Sequence, residues 1–98
     1  MNKVIAKRVL SEAMSPWRDQ AYEALAQKVD LEPERYEIEA EDGRQYQVEV
    51  EIMWDDKPGG TVRVLGSVDD GGFRAYFPMI ECILVPKPPN KLSALQSF

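Results

Sequence analysis

A chain of 98 residues with 44% apolar content makes one compact domain that can enclose a single core, with no room for separate cofactor and substrate domains. Its net charge of −5 is unevenly spread: residues 1–18 carry four bases against Glu12 (+3), residues 19–56 carry 13 acids against Lys28, Arg35 and Arg44 (−10), and residues 57–98 carry five bases against three acids (+2). The acidic middle repels phosphate and no basic cluster is interleaved with aromatics, so a nucleic-acid partner is disfavoured and a basic protein partner is favoured.

The N-terminus, MNKVIAKRVL, interrupts its apolar residues with charge, which argues against a secretory leader and a membrane span and for a cytoplasmic protein. Val4, Ile5, Ala6, Val9, Leu10, Ala13 and Met14 form one broad helical stripe, with Lys3, Lys7, Arg8 and Glu12 largely outside it. Ser15-Pro16 reads as an N-cap followed by proline at the first position of a second helix, with Asp19 near its positive end. That helix is expected to run to about Val29, burying Ala21, Leu25 and Val29 with Tyr22 and Ala26 alongside. The alternative is one long helix kinked at Pro16.

DLEPE at 30–34 breaks the helical period, and from Arg35 the period is two. In residues 45–54 Tyr46, Val48, Val50, Ile52 and Trp54 alternate with Gln45, Gln47, Glu49 and Glu51, the pattern of a strand with one wet face. Residues 35–41 alternate likewise, and Asp42-Gly43 between the two runs is a hairpin signal. Residues 61–68, 73–77 and 80–85 read as further short strands, the last two being separate or one strand bent at Pro78. Cys82, the sole cysteine, lies in ECILV, where a small buried thiol is the ordinary reading. The layout is α+β: two N-terminal helices, or one kinked helix, packed on a four- to five-stranded antiparallel meander. The domain spans residues 1–90. Residues 91–98 form a tail whose Leu92, Leu95 and Phe98 are expected to pack on the domain or on a neighbouring chain.

Two acidic pairs, Asp55-Asp56 and Asp69-Asp70, are each followed by two glycines. In a meander they fall at opposite ends of a strand on the order of 25 Å long, too far apart to share a metal ion. Both read first as turns, with Pro58 at a second turn position and the glycines supplying positive φ. Asp69, Asp70 and Asp42 fall at one end of the sheet, about 10 Å apart, where a weak cation site is the secondary reading. Neither glycine pair precedes a helix or a phosphate-loop ending. With no histidine and no zinc-type cysteine spacing, no catalytic residue, resident metal or cofactor is assigned. Trp17 and Trp54 lie on apolar faces and are expected in the core. Glu37, Glu39, Glu49 and Glu51 point outward on paired strands, facing one another and relieved only by Arg35, Arg44 and Arg63. They are the candidate binding residues.

The run Trp54-Asp55-Asp56 with Pro58-Gly59-Gly60, then Arg63-Val64, Gly66-Ser67, Asp69-Asp70-Gly71-Gly72 and Pro78, resembles the signature of a group of short bacterial proteins that share a domain of unknown function. The resemblance covers roughly residues 46–86 and implies no activity. In size, charge and layout the chain is also similar to immunity proteins that neutralise bacterial toxins, a likeness of fold alone. The expected function is therefore a non-enzymatic protein-binding module presenting an acidic sheet face. The alternatives are a homo-oligomer joined through an edge strand or the tail, such as a homodimer, and a small carboxylate-based or cation-dependent enzyme.

Overall fold

The computed structural model describes residues 2–71 and 79–89. Helix α1 (Lys3–Arg18) is followed by the short α2 (Tyr22–Ala26) and by four strands, β1 (Glu34–Glu39), β2 (Gln45–Trp54), β3 (Val62–Asp69) and β4 (Met79–Val85). Every neighbouring pair of strands is antiparallel and the order is sequential, β1-β2-β3-β4. This is the α+β meander expected from the hydrophobic periods. The strand expected at 73–77 and the tail at 91–98 lie outside the described residues.

Helix α1 begins where Asn2 caps it, its Oδ1 accepting from the Val4 N–H at 3.0 Å and the Ile5 N–H at 3.2 Å. It does not stop at Ser15. Pro16 lies inside the helix, so Ser15 is an exposed helical residue and not an N-cap. The physical reason is packing. Met14 and Trp17, on either side of the proline, are both buried, and only a continuous helix puts both against the sheet. Pro16 falls in the last turn, where its missing N–H costs one helical bond. Beyond it Arg18 reaches back to the Ser11 carbonyl at 2.9 Å and across to Glu81 Oε2 at 2.5 Å. The second helix consequently starts later than expected. Ala21 is its exposed N-cap, and Leu25 is its one buried residue.

The core lies between α1 and the even-numbered face of the central strands: Ala6, Val9, Leu10, Met14 and Trp17 meet Tyr46, Val48, Val50, Ile52, Val62, Val64 and Val68. Trp54 is partly buried at its margin. At the centre of that face stands Gly66, itself buried. A Cβ there would overlap Met14 Sδ and come within 3.1 Å of Leu10 Cδ1. The absent side chain is what allows α1 to rest on the β3 backbone.

The β1–β2 hairpin forms where Asp42-Gly43 signals it, but its loop has three residues. Ala40 N–H bonds the Arg44 carbonyl at 2.9 Å, Gly43 N–H bonds the Ala40 carbonyl at 3.0 Å, and Gly43 alone has positive φ (79°). Parity requires this. A two-residue loop would set Glu39 opposite Tyr46 and Glu37 opposite Val48, turning the acidic face of β1 onto the apolar face of β2. The third loop residue gives the observed pairs Glu39 with Gln45 and Glu37 with Gln47.

Gly66→Ala should therefore destabilise the fold by about 1–3 kcal/mol through overpacking against Met14 and Leu10. On a domain of this size that lowers Tm by roughly 4–8 °C for each kcal/mol. Thermal unfolding followed by circular dichroism checks it, and an unchanged Tm would mean that α1 does not rest on this backbone.

Candidate functional site

With α1 and α2 covering one face of the sheet, the odd-numbered face is left outside. Arg35, Glu37 and Glu39 of β1 stand there beside Gln45, Gln47, Glu49 and Glu51 of β2, then Arg63, Leu65, Ser67 and Asp69 of β3. All four glutamates singled out in the sequence share this face, Glu37 and Glu39 exposed and Glu49 and Glu51 half-buried between strands.

Their arrangement differs from a facing stack of like charges. Glu49 is opposite Arg35 on one side and Ser67 on the other, and Glu51 is opposite Leu65. Arg35 Nε bonds Glu49 Oε2 at 3.2 Å, a surface pair that stabilises little and leaves the glutamate accessible. The register spreads the acids diagonally, which lowers their mutual repulsion. Among the described residues the carboxylates of Glu37, Glu39 and Glu51 take part in no ion pair or side-chain hydrogen bond. Arg44 and Arg63 do not neutralise them, since Arg44 reaches Asp70 at 3.5 Å and Arg63 pairs with Asp55. At the end of the face nearer β1 the surface dips into an open hollow of about 430 Å³ whose polar lining is Arg35, Glu37, Gln47, Glu49, Ser67 and Asp69.

The remaining acids serve the turns. Lys57-Pro58-Gly59-Gly60 is closed by the Gly60 N–H on the Lys57 carbonyl at 3.0 Å, and Gly59 at φ 82° after Pro58 makes it a type II turn. Tyr22 of α2 donates its hydroxyl hydrogen to the Gly60 carbonyl at 2.7 Å, fastening this turn to the helical layer. Asp69 Oδ1 accepts from the Gly71 N–H at 2.8 Å as that chain turns. Asp42 accepts from the Arg44 N–H through Oδ1 at 3.1 Å and from the Tyr46 hydroxyl through Oδ2 at 2.9 Å. Asp42, Asp69 and Asp70 do lie at one end of the sheet. Among the described residues, however, no three carboxylate, cysteine or histidine groups come together to hold a metal ion.

Desolvation pushes the Asp42 carboxyl up, but the Arg44 N–H, the Tyr46 hydroxyl and the Arg44 charge together hold it below the ordinary carboxylate value. Burial, then the Asp42 bond and charge, push the Tyr46 phenol up. On β1, desolvation and then the bond to Glu34 push the Tyr36 phenol up to about 12.

Cys82 is exposed, contrary to the buried thiol expected from ECILV. It stands on the outer face of β4 between Ile80 and Leu84, opposite Leu65 of β3. β4 is the last strand of the sheet among the described residues, and Ile80, Cys82 and Leu84 form an exposed apolar run along its outer face. No helix among these residues is long and apolar enough to cross a membrane. No protein family, curated protein or solved structure matches the chain.

Tyr46→Phe keeps the buried ring and removes the bond to Asp42, and should cost about 0.5–1.5 kcal/mol at neutral pH. Asp42 has a depressed folded pKa, so its stabilising contribution is present above the ordinary carboxylate pKa and is lost as pH falls through the folded value. The gap between wild type and Tyr46→Phe should accordingly narrow below about pH 4. Urea unfolding across that range measures it. A gap independent of pH would show that the hydroxyl does not act through the Asp42 charge.

Proposed function

We propose that this chain is a non-enzymatic protein-binding module whose outer sheet face, at Glu37, Glu39, Glu49 and Glu51, receives a basic protein. The observation that carries this reading is the imbalance of that face. One helical layer covers the even-numbered side of β2 and β3, while the odd-numbered side presents four glutamates with Arg35, among the described residues, as the single cation in a pair with any of them. Unneutralised carboxylates held on strands are positioned before a partner arrives, so binding orders few side chains and loses little entropy.

The surrounding residues suit a protein partner. Leu65 and Met53, half-buried on the same face, adjoin Glu51 and offer apolar contact at the inner margin of the charged patch. Arginine and lysine side chains carry such a combination themselves, a charged head on an aliphatic stem. The resemblance in size, charge and layout to toxin-neutralising immunity proteins, drawn from the sequence alone, would make a basic toxin one such partner.

Changing Glu37, Glu39, Glu49 and Glu51 together to lysine should leave the core intact, because all four point away from it. A partner captured from native lysate by the wild-type chain should be released by raised salt and should fail to bind the variant, with circular dichroism confirming that the variant is folded. A partner held equally by both proteins would place the binding surface elsewhere and overturn the reading.

A further inference from the structure

We propose that β4 is the seam of a homodimer, in which two copies of this chain pair their β4 strands antiparallel to form one continuous sheet. Six of its seven residues, Met79, Ile80, Cys82, Ile83, Leu84 and Val85, are apolar. Apolar residues therefore stand on both of its faces, which is the pattern of a strand with neighbours on every side. Yet β4 pairs only with β3 among the described residues, and none of its residues is fully buried. Ile80 and Leu84, on the outer face, are 59% and 54% exposed.

The two edges of the sheet are built differently. β1 carries Glu34, Arg35, Glu37 and Glu39, the charges by which natural sheets keep an edge from pairing. The sole charge of β4 is Glu81, which lies on the inner side and is held by Arg18 at 2.5 Å. Between Pro78 and Pro86, which bound it in the sequence, β4 thus has neither a free charge nor a proline to discourage another strand.

Charge also selects the occupant. A basic protein finds no free carboxylate at β4. A second copy meets little repulsion there, because Glu49 and Glu51 of β2 lie two strand spacings from β4, about 10 Å, and the acids of β1 lie three, about 14 Å, beyond the Debye length of about 8 Å at physiological salt. Joined across β4, two copies would hold their β1 strands at opposite ends of an eight-stranded sheet, about 33 Å apart, several times that Debye length. An antiparallel pairing centred on Cys82 sets each Ile80 opposite a Leu84 and each Cys82 opposite its own copy, so the outer apolar stripe runs unbroken across the seam.

Sedimentation velocity on the full chain, together with treatment by a short-arm bis-maleimide that joins two thiols, tests the pairing. We expect twice the chain mass, a covalent dimer formed through Cys82 and absent in Cys82→Ser, and a single-chain mass with unchanged circular dichroism for the double variant Ile80→Lys, Leu84→Lys. Both residues are exposed, so their substitution leaves the core alone. The glutamate-to-lysine variant of the acidic face should keep the dimer mass, which separates this proposal from the binding function above. A wild-type chain that sediments as a single copy, or a dimer that survives the two β4 lysines, would overturn it. So would a dimer lost only when Leu95 and Phe98 are changed to lysine, because residues 90–98 would then be the occupant.

Discussion

The contact on which the structure turns is the one between α1 and the bare backbone at Gly66. A helix can lie this close to a sheet only where a strand lacks a side chain, and β3 provides that gap at the middle of its apolar face. Leu10 and Met14 fill it. Once they are seated, the even-numbered side chains of β2 and β3 face the helix, and every odd-numbered side chain of these strands faces outward. The outer acidic surface is in that sense a consequence of where α1 rests. Continuation of the helix through Pro16 belongs to the same constraint. It brings Trp17 onto the core and carries Arg18 to Glu81, so that the helix end is tied to the far edge of the sheet.

The turns hold the register that this division of faces requires. With a side-chain period of two, one residue more or fewer in the β1–β2 loop would place the glutamates of β1 on the buried side. The Gly43 conformation and the Asp42 bonds to Arg44 and Tyr46 fix the loop at three residues. At the opposite end Tyr22 holds the Pro58-Gly59 turn against α2. Asp42, Asp55 and Asp69 are each engaged locally, in a bond to a nearby N–H or in an ion pair, and the acids left to act on a partner are the glutamates of the strands.

Much of this was legible in the sequence, because β2 alternates over ten residues and the β1–β2 and β2–β3 turns carry their own glycine chemistry. The errors share a physical origin. Ser15-Pro16 satisfies a local rule for starting a helix, but Met14 and Trp17 bury apolar surface only if the helix continues, and that burial outweighs one lost hydrogen bond. Cys82 sits among apolar neighbours, yet hydropathy does not record whether a strand lies at the centre or the edge of a sheet. The expected clash of glutamates assumed direct opposition, whereas the three-residue loop places Arg35 opposite Glu49. Two signals were present and went unused. Asn2 before an apolar stripe is a helix cap, and a lone glycine in a valine-rich strand marks a close approach of another element.

The sheet divides its charge across its width. The β1 side is acidic and the β4 side nearly neutral, so the two edges discourage and permit association in turn. On the readings proposed above, a basic protein would be drawn to the acidic side by long-range attraction, and an uncharged strand to the β4 edge by apolar contact and backbone groups. The two surfaces would meet only at Leu65, which lies opposite Glu51 on one side and Cys82 on the other. Joining two copies at β4 would leave both acidic faces open at the outer ends, and a partner with two basic patches at a matching span would then be held by both. The second contact would be intramolecular, and affinity would rise without any new kind of interaction. On this account the edge strand that resembles a defect in a single chain would make the acidic face bivalent.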